Sequence, residues 1–213
     1  MKLISINVGK KQIQQNKGRE EITGIYKRAV TGSVQINKLG IADDFIGSPK
    51  HHGGPDQALY IYGEGDYQWW KSELGRSLEP GTFGENLTVS ELESGRFNIG
   101  DILHMGEVTL QVTAPRIPCG TFASRMGDPQ WVKKFRAAER PGLYVRVLRE
   151  GTLSAGADVT FEAYQSETIS LIEMYREYYE KDKTEESLRK HLNAPIDIRS
   201  RVDLEKELNE LTK

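Results

Sequence analysis

Leu3, Ile6 and Val8 are separated by Ser5 and Asn7 near the start of the chain, a spacing close to the period of two that reads as a strand over 2–8. Similar short apolar runs, bounded by glycine, proline or asparagine, recur at 20–27, 32–38, 57–62, 86–90, 101–105, 107–113, 143–149 and 158–163. Strands this short and this frequent predict a mostly β chain, an all-β barrel or sandwich rather than alternating βαβ units. Met105-Gly106-Glu107 between Ile102-Leu103-His104 and Val108-Thr109-Leu110 is a hairpin signal. Helices are predicted from Asp66 to Leu74, closed by Gly75, and after Asp128-Pro129, where Asp caps and Pro takes the first turn. A shorter one runs from about Thr121 to Met126.

The pattern changes after residue 163. All 21 glycines lie at or before Gly156, and 164–213 holds 12 acidic and 9 basic residues at helical spacing. Ser170 and Glu173 have capping-box spacing, and Ile169, Ile172, Tyr175 and Tyr179 share a face. Leu188 and Leu192 predict a second helix, and Leu204, Leu208 and Leu211 a third, with turns at Asp182-Lys183-Thr184 and Asn193-Ala194-Pro195. The expected organisation is a β domain over 1–163 and a small three-helix domain over 164–213. The latter is expected to be a packing layer without chemistry of its own.

Composition narrows the class. With 29 Lys and Arg against 31 Asp and Glu, the net charge is -2, which lacks the basic excess of a nucleic-acid binder. No stretch approaches the ~20 apolar residues of a membrane span. The start carries no signal-peptide pattern and Cys119 is the sole cysteine, so a cytoplasmic protein is expected.

Three segments carry candidate chemistry. His51-His52-Gly53-Gly54-Pro55-Asp56-Gln57 is a polar loop whose paired glycines expose successive amides to a flat or anionic ligand; a tight turn is the plainer reading. Pro80-Gly81-Thr82-Phe83-Gly84-Glu85-Asn86 offers an aromatic platform, a carboxylate and an amide, or simply a structural loop. Pro115-Arg116-Ile117-Pro118-Cys119-Gly120 brings the only thiol to a predicted helix start on a proline-stiffened approach beside an arginine. A thiolate held against a soft metal or an electrophile needs such a setting, whereas a space-filling cysteine does not.

His52-Gly53-Gly54-Pro55-Asp56-Gln57-Ala58, Phe83-Gly84-Glu85-Asn86-Leu87, Ile99-Gly100-Asp101-Ile102 and Pro115-Arg116-Ile117-Pro118-Cys119 occur in the order seen in MOSC domain proteins, the molybdenum cofactor sulfurase C-terminal class. With its helical tail the chain resembles the YiiM-like subgroup across essentially its whole length. The resemblance implies a MOSC-type β-barrel-like core that binds molybdopterin, with Cys119 as molybdenum ligand. It implies that His52, Gly53 and Gly54 lie beside the cofactor and that Phe83, Glu85 and Asn86 line the site, next to Arg116. The implied reaction is reduction of N-hydroxylated compounds such as hydroxylaminopurines to the amine. Glu85 and Asp56 are the candidate proton donors, and Lys27, Arg28 and Thr31 the candidate phosphate contacts. The segment Gly40-Ile41-Ala42-Asp43-Asp44 lacks the subgroup's Gly-Asp-x-Gln run, which places its contacts in question. The chain shows no flavin, nucleotide or iron–sulfur motif, so an external flavin or iron–sulfur protein must supply electrons. Two alternatives use the same thiol: non-catalytic cofactor binding or delivery, and a sulfur carrier.

Overall fold

Leu59, Ile61 and Tyr60, Tyr62 alternate along one strand, and that alternation sorts two cores onto two faces of a sheet. The computed structural model describes residues 1–16, 18–49 and 51–212. Its strands are β1 (Leu3–Gly9), β2 (Gln12–Asn16), β3 (Arg19–Thr23), β4 (Lys27–Ala29), β5 (Ser33–Asn37), β6 (Gly40–Ile41), β7 (Leu59–Gly63), β8 (Leu87–Val89), β9 (Ile102–Met105), β10 (Val108–Pro115), β11 (Leu143–Arg149), β12 (Gly151–Ser154) and β13 (Val159–Glu162). Its α-helices are α1 (Glu64–Leu74), α2 (Gly120–Met126), α3 (Trp131–Ala138), α4 (Leu171–Glu177), α5 (Glu185–Asn193) and α6 (Ile198–Leu211).

Eight strands form the main sheet in the order β13-β9-β10-β11-β7-β8-β1-β4. All neighbours are antiparallel except β7 and β8, which run parallel because α1 carries the chain back between them. The expected barrel is corrected: the sheet curls without closing. Lys2 and Asp158 make an isolated bridge, and Leu3 N–H donates to Ala157 O at 2.9 Å, but no ladder joins the sheet's ends among the described residues. A closed barrel needs a continuous ladder at that seam. The result is a mixed, sheet-dominated fold with helices on it.

Aliphatic side chains from β1, β7, β8, β10 and β11 fill one face, joined by Ile169, Leu171, Leu188, Ile196 and Leu204 from the tail. Tyr60, Tyr62, Trp70, Phe83, Phe122, Trp131 and Phe135 form a separate aromatic core under α1–α3. On β1 and β8 the alternate positions are instead the buried polar Ser5, Asn7 and Thr88. Asn7 donates to Thr88 Oγ1 at 3.2 Å, so burial does not leave them unpaired.

Helix ends follow the expected chemistry. Gly75 closes α1 at φ 64, and the Ser170, Thr184 and Asp197 side chains accept first-turn amides of α4, α5 and α6. Asp128 Oδ1 accepts from Gln130 N at 2.8 Å, but α3 begins only at Trp131, so the Asp-Pro pair forms a turn ahead of the helix rather than its first turn.

Candidate functional site

A cavity of about 610 Å³ opens between β3 and the chain just after it, residues 44–48 and 51–53, the chain that follows β10, and the C-terminal helices. That volume suits a cofactor or small substrate. Pro115 ends β10, and Cys119 is the N-cap residue of α2, partly exposed in the cavity wall, its side chain making no capping bond. Arg116 is only 4% exposed, with its guanidinium over the Phe122 ring at 4.6 Å and the Tyr60 ring at 5.2 Å. Its Nη1 donates to Phe83 O, while Nε is buried with no partner.

Lys27 and Asp44 pair as a nearly buried couple in the same wall. Asp44 also accepts from Gly9 N at 2.7 Å and Asn86 Nδ2 at 2.9 Å. Burial pulls the Lys27 ammonium below its ordinary value even though Asp44 opposes that shift. Asn86 Oδ1 accepts from Tyr60 N at 3.1 Å, so one amide ties β7 to the Asp44 segment. His52 lies 3.4 Å from the Tyr144 hydroxyl through Nδ1. Burial, then the charges of Arg116 and Arg199, hold its ring at a pKa of about 4, so it is uncharged at neutral pH.

Of the residues singled out from sequence, Lys27, His52, Gly53, Asn86, Arg116 and Cys119 meet at this cavity. The others do not. Phe83 is fully buried, stacked on Tyr62 at 4.3 Å, and offers no face to a ligand; its aromatic neighbours outcompete solvent for it. Glu85 is also fully buried, accepting from Tyr67 Oη at 2.5 Å, Gly81 N at 2.6 Å and Thr88 Oγ1 at 2.9 Å. Burial raises its pKa, but it lies behind the wall and staples its own loop instead of donating to a substrate. Asp56 points to the tail, accepting from Ile198 N at 2.9 Å and pairing with Arg146 at 3.1 Å. Gly54, at φ 87, serves the turn into the short 3-10 segment Pro55–Gln57 and is not in the wall. Arg28 is exposed because the strand period turns it away from the side of Lys27, and Thr31 is exposed beyond the strand end.

The tail is more than packing. Met174, Tyr178, His191, Asp197 and Arg199 all line the cavity. Arg199 donates to Gln57 Oε1 at 2.9 Å, Pro49 O at 3.0 Å and Gly53 O at 2.9 Å, fastening α6 to the loop that bears His52. The sequence carried a signal for this: Arg199 and Arg201 stand in the first turn of α6, where the helix dipole disfavours cations, so tertiary contacts must hold them. Asp44, in the segment left in question above, is likewise central to the wall.

These donors fit an anionic group that brings most of its own metal ligands. Among the described residues no three His, Cys, Asp or Glu side chains gather as a metal site, so a soft metal at Cys119 takes its other ligands from elsewhere. The unpartnered Arg116 Nε–H in the adjoining wall suits an anionic acceptor.

A curled mixed sheet with a helix-walled cavity and one thiol beside a buried arginine defines an α+β module with room for a cofactor or small substrate. The chain belongs to the MOSC domain family, whose profile matches residues 48–160, and within it to the YiiM-like subgroup. It is 35% identical to Bacillus subtilis YflK over 169 residues, 79% of this chain and 76% of that protein. A protein named reductase from Gibberella moniliformis is 33% identical over 162 residues, which span 73% of this chain but 27% of that larger protein. The crystal structure of YiiM from Geobacillus stearothermophilus superposes with a TM-score of 0.79 at 27% identity, covering 97% of this chain and 98% of that one. MOSC domains are associated with the molybdenum cofactor and linked to cofactor-dependent reductase activity. Among the described residues no helix is long and apolar enough to cross a membrane.

Proposed function

We propose that this protein reduces N-hydroxylated compounds, such as hydroxylaminopurines, to the amine with a molybdenum cofactor held by Cys119. The observation that carries the reading is the placement of the only thiol in the same cavity wall as an arginine with a free, buried N–H. Bound there, the cofactor supplies two electrons to cleave the N–O bond, so that R–NHOH, two electrons and two protons give R–NH2 and water. The electrons come from a separate flavin or iron–sulfur protein. The name of the Gibberella relative supports reductase chemistry, although this chain spans only part of that protein.

Cys119 would ligate the metal through its thiolate, and Arg116 Nε–H and the amides beside Gly53 would hold the cofactor's anionic and polar edges. Lys27, already neutralised by Asp44, would orient the ligand more than balance its charge. The uncharged His52 ring shares a hydrogen bond with Tyr144, whose phenol burial keeps protonated, so the pair fixes the polar edge of the cavity without adding charge to it. With Glu85 and Asp56 outside the cavity, neither is placed to give the substrate its protons.

The test is Cys119→Ser. A hydroxyl is nearly the size of the thiol but a harder, poorer ligand for molybdenum. The variant is expected to keep its circular dichroism and lose both molybdenum and anaerobic reduction of 6-hydroxylaminopurine with a dithionite–viologen donor. Full metal and turnover in the variant would overturn the reading. Metal lost from Cys119→Ser, with no turnover by loaded wild-type protein, would leave a cofactor carrier.

A further inference from the structure

Charge is spread unevenly along the chain. Residues 120–140 hold five basic side chains, Arg125, Lys133, Lys134, Arg136 and Arg140, against the acidic Asp128 and Glu139. That segment carries +3 in a protein of net charge -2, which leaves -5 for the rest. Lys134 is answered by Asp128 at 2.7 Å and Arg140 by the buried Asp66 at 2.9 Å. Lys133 and Arg136 stand exposed on α3, and among the described residues neither has an ion-pair partner. They border a groove of about 430 Å³ between α3 and α4, lined also by Tyr175 and Tyr179, with the Arg136 guanidinium 3.9 Å from the Tyr179 ring. Of the acids in the groove, Glu139 is held by Arg176 at 2.5 Å and Glu180 accepts from Lys181 N in its own turn at 2.9 Å, so the α3 wall stays cationic.

The helix α4 and the turn after it separate this groove from the cavity: Met174, Glu177 and Tyr178 line the cavity, and Tyr175, Arg176 and Tyr179 the groove. Cys119 and Thr121 bring the start of α2 to the cavity wall, whereas α3 gives the wall nothing. Yet α3 packs on α2 through Phe122, whose ring lies 5.1 Å from Phe135 and 5.9 Å from Trp131. The outer face of α3 is therefore one helix removed from the thiol, and a protein seated there leaves the cavity open to substrate. We propose that the α3–α4 groove is the docking face for an acidic electron-donor protein, with Lys133 and Arg136 meeting its carboxylates. This rests on the reductase reading, in which each turnover takes two electrons from another protein. Such a donor docks reduced and leaves oxidised. A small contact serves it, since redox encounters bury less than about 1,200 Å², and opposite charge speeds its arrival more than it tightens its hold.

Lys133→Glu and Arg136→Gln alter the groove and no residue of the cavity wall. The probe is an acidic flavodoxin. Amide NMR of the cofactor-free full chain at low salt is expected to show flavodoxin-induced shifts confined to residues 131–140 and 175–180. Added salt should weaken the binding, and Lys133→Glu should weaken it at least about fivefold. Molybdenum-loaded protein is then assayed on 6-hydroxylaminopurine with two donors. Flavodoxin-driven turnover should fall at least about fivefold in Lys133→Glu, while dithionite–viologen turnover changes by less than about twofold, because a small donor needs no docking face. Shifts centred elsewhere, no binding by the wild-type chain, or equal flavodoxin-driven rates in wild type and variant would overturn the docking face. So would an equal fall with both donors, which would mean a loosened site. Should Arg136→Gln fail to fold by circular dichroism, Lys133→Glu carries the comparison. Binding at this groove by a protein without viologen-driven turnover would sink the reductase reading alone. Viologen-driven turnover with no contact at the groove would sink the docking face alone.

Discussion

Phe83 packs among Tyr62, Tyr67, Trp70, Phe122 and Phe135 with ring centroids 4.3 to 6.1 Å apart, so its side chain belongs to the stability of the aromatic core. Phe83→Ala is expected to cost about 3–5 kcal/mol in urea unfolding, the range for emptying a buried aromatic site. Unchanged stability with a raised Michaelis constant would return Phe83 to the ligand. Glu85 tells the same story for a polar group, since three donors converge on one of its oxygens. The resemblance places both residues at the site with Cys119 and Asn86, but it cannot distinguish a side chain that enters the cavity from one that holds the loop behind it. Burial decides that, and burial depends on α1–α3 closing over the sheet. Cys119 was legible from its proline-stiffened approach beside an arginine, whereas His52, Asn86 and Lys27 came only with the family resemblance, since a tight turn, a structural loop or a strand end accounts for each of them alone.

At the scale of elements, the strands read from sequence are those with an apolar face. β2, Gln12–Asn16, is almost wholly polar and exists through its pairing with β3 and the bond from Gln14 Nε2 to Thr121 O at 3.3 Å. The expected strand over 20–27 breaks into β3 and β4 around Gly24, which approaches Phe45 so closely that any Cβ there would collide with its carbonyl. The contact of α6 with the His52 loop was missed because it joins residues 142 to 150 positions apart. That contact carries its own prediction. Arg199→Gln should leave α6 folded on its Asp197 cap while amides of residues 51–57 exchange faster and cofactor retention falls. Arg199→Lys should not restore them, since one ammonium lacks the guanidinium's planar fork. Unchanged exchange in Arg199→Gln would show that the loop holds itself.

For the molecule as a whole, the buried, uncharged His52 links stability to pH. Its folded-state value of about 4 lies below the ordinary value of about 6.5, so the unfolded chain takes up the proton first as pH falls. The contribution is fully present above about pH 6.5 and is lost as pH drops toward 4, the loss reaching about 2.5 kcal/mol at pH 4.5. His52→Gln should flatten that part of the profile in urea unfolding at pH 7 and 4.5; an identical slope in both proteins would place His52 in solvent. The cavity itself draws on Lys27, His52, Asn86, Cys119 and Arg199, so it has no local precursor in the chain. Synthesis runs from the N-terminus, and the far wall with Met174, Tyr178 and Arg199 leaves the ribosome well after Cys119. A nascent chain that has just exposed Cys119 therefore offers a free thiol with half a chamber around it. On the proposed reading, the cofactor can be kept only after translation has passed α6, and until then that thiol must be guarded by something other than its own fold.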